Sequence, residues 1–139
     1  MDVLLPSYDD IIELHEAVIS ATGGASGVLN GHYIEAALNR PITYAQYGEY
    51  SLHTVCAIVL DSIARSHAFS DGNKRTALTS MIFTYNLNGL EMDYTLLMND
   101  EFEDIVMWVV ESKPEIGQIE EHLQRLVKEF GIIGGPGIQ

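Results

Sequence analysis

A chain of 139 residues with 47% apolar residues is long enough for one hydrophobic core, and a formal net charge of −13 with a pI near 4.5 makes nucleic acid and anionic lipid poor partners for most of its surface. The single cysteine, Cys56, excludes an internal disulfide, and its apolar neighbours predict a buried thiol. The longest apolar stretches are broken by Asp61, Arg65 or Glu111, and the Met-Asp start has no basic region; neither a membrane span nor a signal peptide is expected, and the cytoplasm is the expected compartment.

Taken in order, Asp9 or Asp10 can cap a first helix whose apolar positions Ile11, Leu14, His15 and Val18, flanked by Ile12 and Ile19, follow helical spacing, and the run Thr22-Gly-Gly-Ala-Ser-Gly27 ends it. Asn30-Gly31 opens a short helix through Tyr33, Ile34, Ala37 and Leu38, which Pro41 is expected to close. His15 and His32 have no second ligand at helical spacing and read as core or surface histidines. Residues 41–50, with three tyrosines and Gly48, suggest a short hairpin, a plain connecting loop being the other reading.

Leu52, Val55, Cys56, Val59, Leu60 and Ile63 form a strong helical stripe, along which Asp61 and Arg65 stand four apart and can pair. A further helix, apolar around almost its whole circumference, runs from Ala77 to the stop signal Asn88-Gly89 and is expected at the centre of the fold. Asn99 or Asp100 can cap the next, through Phe102, Ile105, Val106, Val109 and Val110, which Pro114 ends. Ile116, Ile119, Leu123, Leu126, Val127 and Phe130 mark the last. The expectation is an all-α single domain over residues 1–130, a helical bundle around a central buried helix with a short β-hairpin flap, followed by a flexible glycine-rich tail at 131–139.

The stretch that carries chemistry is His67-Ala-Phe-Ser-Asp-Gly-Asn-Lys-Arg-Thr76, at the mouth of the central helix. Backbone amides at a helix start lack intrahelical partners and the helix dipole is positive there, so a phosphate is stabilised before any side chain acts. Lys74 and Arg75 add full charges, unless they are merely solvated helix residues. Phe69 is expected to plug the loop into the core, leaving His67 and Asp71 facing outward. A histidine is the side chain suited to accept a proton near pH 7, and Asp71 can hold Mg2+ or cap the helix. No Gly-x-x-x-x-Gly-Lys-Ser/Thr and no Gly-x-Gly-x-x-Gly after a strand is present, so the chain is neither a P-loop protein nor a dinucleotide fold.

His67-x-Phe69-x-Asp71-Gly72-Asn73-Lys74-Arg75-Thr76-Ala77 resembles the signature of the Fic/Doc family, and specifically its Doc (death-on-curing) branch. The likeness extends from Gly23-Gly24, Gly27, Tyr33–Leu38 and Arg40-Pro41 to Asn88-Gly89, covering roughly residues 10 to 95. The resemblance implies an enzyme using ATP and Mg2+ on a protein hydroxyl, with His67 as general base and Asp71 as Mg2+ ligand. It makes Gly72, Asn73, Lys74 and Arg75 the phosphate-binding residues, with Arg75 as clamp. Lys74 stands where adenylylating Fic proteins usually carry glycine, so the likeness points to transfer of the terminal phosphoryl group, with protein adenylylation as the alternative. Doc-like toxins phosphorylate a threonine of elongation factor Tu, arrest translation and are silenced by a Phd antitoxin; the same partners are implied here, with no direct nucleic acid and no membrane. A catalytically idle antitoxin-binding module remains the reading from a different class.

Three departures accompany the likeness. Leu78 stands where Fic enzymes often have a second arginine, Ala68 replaces a frequent proline, and no Ser/Thr-x-x-x-Glu-Gly/Asn self-inhibitory element is present, so inhibition is expected from another chain. The segment 41–50 occupies the place of the family's target-clamping flap.

Overall fold

The computed structural model describes residues 2–48 and 50–133. The first helix, α1 (Tyr8–Thr22), starts one residue before the expected acidic caps, because Ser7 takes that role: its hydroxyl accepts from Asp10 N at 3.0 Å while the Asp10 carboxylate accepts from Ser7 N at 2.8 Å. This reciprocal box satisfies two backbone donors and typically contributes about 1 kcal/mol. Asp10 therefore serves the cap from inside the helix.

Helix α2 (His32–Ala45) corrects the reading of Pro41 as a terminator and of residues 41–50 as a hairpin. Pro41 lies inside the helix with its side chain buried, and turns carry the chain on through Gln46 and Tyr47; Glu49 lies outside the described residues. A proline in a helix interior removes a hydrogen bond and crowds the preceding turn. Here the helix is anchored immediately before the proline, since Arg40 Nη1 donates to Asp61 Oδ2 at 2.6 Å and Ser62 Oγ at 3.0 Å on the next helix. Only one further turn follows, so little helix remains to be broken.

Helices α3 (Leu52–Ala64) and α4 (Asn73–Leu87) pack on each other most extensively and form the centre. Both are buried around most of their surface, as the apolar pattern predicts for α4; in α3, even Asp61 is buried. Asp61 is neutralised from two directions, by Arg40 and by Arg65 at 3.3 Å, the second being the pair read from the spacing. A buried carboxylate without such partners is strongly disfavoured, so the two arginines hold α2 and the end of α3 in register. Cys56 is buried as expected, and burial pushes its thiol up. His53 Nδ1 lies 2.9 Å from the hydroxyl of Tyr85, joining α3 to α4 by a polar contact inside the bundle.

Around this pair lie α1 against α4, α2 against α3, and then α5 (Asp100–Ser112) and α6 (Ile116–Phe130). Asn99 caps α5 by accepting from Glu101 N at 2.9 Å, one of the two candidates for that role. A 3-10 helix, Tyr94–Met98, fills the crossing before it. Two short strands, β1 (Leu90–Glu91) and β2 (Ile132–Ile133), pair antiparallel, with Leu90 opposite Ile133. The expected tail thus begins with ordered backbone pairing, and residues 134–139 lie outside the described residues. Asn88 does more than stop α4: its amide exchanges two 2.8 Å hydrogen bonds with the backbone of Leu4, tying the N-terminal segment to the helix end. The architecture is all-α, with one continuous core running from Ile11 to Val127, and no described helix is long and apolar enough to cross a membrane.

Candidate active site

The loop from Ser66 to Gly72 joins the two central helices and is held in shape from within and from behind. Within it, the Asn73 side chain spans the turn: Oδ1 accepts from Phe69 N at 3.1 Å and Nδ2 donates to Phe69 O at 2.8 Å. Both ends of that amide are engaged with the loop, so Asn73 acts on the signature turn by fixing its backbone. Gly72 then caps α4 with φ +80, a left-handed conformation that disfavours any residue with a Cβ. Glycine is needed here for a second reason, because a Cβ would lie 3.2 Å from Ile19 Cδ1 of α1. Gly72→Ala is expected to destabilise the fold by roughly 1–2 kcal/mol, lowering the melting temperature by several degrees. A thermal unfolding scan checks it; an unchanged midpoint would show that the turn does not need this backbone.

Behind the loop stands a residue that sequence patterning classed only as a core or surface histidine. His15 is 1% exposed, stacks on Phe69 with ring centroids 3.7 Å apart and 6° between planes, and its Nε2–H donates to the carbonyl of Asp71 at 2.8 Å. Phe69 is the expected plug, 1% exposed, and His15 extends the plug into a bracket between α1 and the signature loop. The available signal was a histidine on an otherwise apolar stripe, since a buried imidazole must find a polar partner.

The glycine-rich segment after α1 forms the side wall. Its backbone runs against the signature loop through a bridge between Val28 and Phe69 and hydrogen bonds from Leu29 N and Asn30 N to Ala68 O at 2.7 and 3.0 Å. Ala25 N donates to Asp71 Oδ2 at 2.7 Å, and Gly24 comes so close that a Cβ there would meet the Asp71 side chain at 3.1 Å. Glu16 fixes the same segment by accepting from Ser26 Oγ at 2.9 Å and from Gly27 N at 3.3 Å; these bonds hold its carboxyl below the usual carboxylate range. Asp71 is therefore aimed by a backbone donor rather than used as the helix cap, that position belonging to Gly72.

The result is an open cleft of about 700 Å³ at the start of α4. His67, Asp71, Gly72, Asn73, Lys74 and Arg75 all line it, so the six signature residues expected to carry the chemistry come together. His67, Asp71 and Lys74 are exposed to solvent, whereas Ala68 and Phe69 between them are buried. The first intrahelical bond of α4 is Thr76 N to Gly72 O at 2.9 Å; the amides of Asn73, Lys74 and Arg75 precede it, with no acidic residue in that first turn to compete for them. Arg65 and Lys113 also border the cleft, so four of the seven lysines and arginines converge there, against the single carboxylate of Asp71 among the described lining residues. On a chain of net charge −13, this local reversal of sign can steer an anion to one spot. Leu78 is buried at 2% exposure, so the position of the missing second arginine serves the core.

This all-α fold, with its cleft at the start of the central helix, is that of a Fic-type domain, and the comparisons with known proteins agree. The Fic/DOC family model matches residues 5–84, and the chain belongs to the Fic/DOC family. It is 31% identical over 121 residues to "Protein kinase doc" of Escherichia phage P1, an alignment that covers 86% of this chain and 93% of that protein.

Proposed function

We propose that the protein is a Doc-type kinase that transfers the γ-phosphoryl group of ATP to a threonine hydroxyl of a translation factor, elongation factor Tu, in the cytoplasm, and thereby blocks translation. The observation that carries this reading is the convergence of His67, Asp71, Lys74 and Arg75 on one cleft at the free amides of α4. The likeness to a protein kinase of the same family supports phosphoryl rather than nucleotidyl transfer, as does lysine at position 74.

Among the described residues no group of three or more His, Cys, Asp or Glu could cage a metal. That suits Mg2+, which is commonly held by one or two carboxylates together with substrate phosphates, and Asp71 is the carboxylate available. When bound there, the ion would neutralise charge on the phosphate chain.

The chain's own residues do the rest. His67 Nε2 or Nδ1 takes the proton of the acceptor hydroxyl as its oxygen bonds to the γ-phosphorus; the bond from that phosphorus to the β–γ bridging oxygen breaks, and ADP leaves. Arg75 and the α4 amides hold the phosphates and offset the charge that builds on them, while Lys74 occupies space near the helix start and adds a further cation. Asn73, His15 and Phe69 hold the loop still, which matters because phosphoryl transfer depends chiefly on positioning and charge.

Silencing by a separate Phd-like antitoxin fits the absence of a self-inhibitory element and a second surface feature. An apolar groove of about 430 Å³, bordered by Leu14, Val18, Phe83, Tyr94 and Leu97, adjoins the cleft at Arg75. A helix with an apolar face could seat there and reach the phosphate clamp.

The test is incubation with elongation factor Tu and ATP labelled at the γ or the α position. Label from the γ position alone is expected. Label retained from the α position would establish adenylyl transfer instead, and no label from either would leave an antitoxin-binding module.

A further inference from the structure

Lys113 is the one described non-glycine residue with a positive φ, at φ 48 and ψ 55. It closes α5 with its N–H bonded to Val109 O at 3.1 Å, in a left-handed position that glycine or asparagine usually takes. A lysine is disfavoured there, and Pro114 follows it at once. The consequence of that backbone turn is visible in the cleft. Lys113 lines it together with Val110, whereas its acidic neighbours Glu111 and Glu115 do not.

Lys74, Arg75 and the α4 amides approach the cleft from one side, and Val110 and Lys113 come from α5. Arg65, the remaining cation, is already paired with Asp61 at 3.3 Å, while Lys113 joins none of the ion pairs among the described residues. An unpaired, exposed lysine bordering a cleft on a strongly acidic protein has an anion as its natural counterpart. Position 113 also lies beyond the 5–84 match to the family model, so nothing in the signature accounts for it.

We propose that Lys113 is a nucleotide-binding residue, contacting a phosphate of ATP from the α5 side of the cleft. The inference rests on the reading of this cleft as an ATP site. Contact from α5 gives the phosphate chain cations on two sides, so that affinity depends on the chain being long enough to span from the α4 amides to Lys113. The residue contributes to holding the nucleotide and takes no part in proton transfer.

The experiment is calorimetric titration of the full chain with ATP, and separately with adenosine, in the presence of Mg2+. Lys113→Gln is expected to weaken ATP binding about tenfold, an exposed charged contact being worth less than a buried one, while Lys113→Arg keeps most of it. Adenosine affinity should be the same in all variants. Lys113→Gly relieves the left-handed backbone, so it should raise the melting temperature while still weakening ATP binding, which separates loss of charge from loss of fold. Equal ATP affinity in wild type and Lys113→Gln would overturn this inference and leave the ATP reading standing. Parallel loss of ATP and adenosine affinity would make Lys113 structural and overturn it as well. Failure of the wild type to bind ATP would overturn both.

Discussion

Replacing His67 with alanine is expected to reduce phosphoryl transfer by roughly 10²–10⁴-fold, the range that a positioned general base contributes, with no loss of stability. The structure separates the two properties at this residue. His67 is exposed and lines the cleft, and it makes no side-chain hydrogen bond to the fold among the described residues, whereas its neighbours Ala68 and Phe69 are 1% exposed and carry the loop's packing. Truncating it therefore removes a group from the reaction and almost nothing from the core. Transfer rates and thermal unfolding measured side by side test this. A His67→Ala protein that transfers at the wild-type rate would rule the residue out as base, and one that unfolds many degrees earlier would show that the imidazole is a structural member.

Phe69→Ala is expected to do the reverse, acting on stability first and on activity through it. Phe69 is among the largest fully buried side chains, and removing a buried phenyl ring typically costs about 3–5 kcal/mol because the cavity closes only in part. The 3.7 Å stack with His15 adds roughly 0.5–1.5 kcal/mol that disappears with the ring. For a chain of this size the melting temperature should fall by roughly 10 °C or more. Activity should fall further than the folded fraction, since the stack orients the imidazole whose Nε2–H holds the Asp71 carbonyl. Phe69→Leu, which keeps much of the volume but no flat face, should recover most of the stability and less of the activity. A Phe69→Ala protein within about 2 °C of the wild type would contradict the view that this ring anchors the loop.

The signature loop and the helix it launches were legible because their signals are local. A Gly-Asn turn, two adjacent cations and an apolar run behind them lie within a few residues of one another, and each states its own physical requirement. The buried centre was legible for the same reason, through the stripe on α3 and the all-round apolar pattern of α4. What escaped is long-range. The bond from His15 to Asp71 spans 56 positions, and that from Ala25 to Asp71 spans 46, so the glycine-rich run after α1, read as a helix stop and as part of the family likeness, gave no local sign that it aims the Asp71 carboxylate. Asn88 looked like a terminator and is also a clasp on Leu4, 84 residues away.

Pro41 shows the converse, a local rule overruled by tertiary anchoring. Its preference for ending a helix is sound chemistry, but Arg40 fastens the preceding turn to Asp61 and Ser62, and the helix continues to Ala45. With it went the expected hairpin, since Tyr44 belongs to the last turn of α2 and Tyr47 to the turn beyond it. Lys113 was hidden for another reason: Pro114 gave the end of α5 correctly, but no sequence pattern says that the residue before it turns left-handed and faces the cleft.

The activity proposed for the cleft at the start of α4 is transfer of a phosphoryl group from ATP to a protein hydroxyl. Its most direct test is the intact mass of elongation factor Tu after incubation with this protein, ATP and Mg2+. One added phosphoryl group is expected, absent with His67→Ala; an added adenylyl group, or an unmodified factor, would contradict phosphoryl transfer at this cleft.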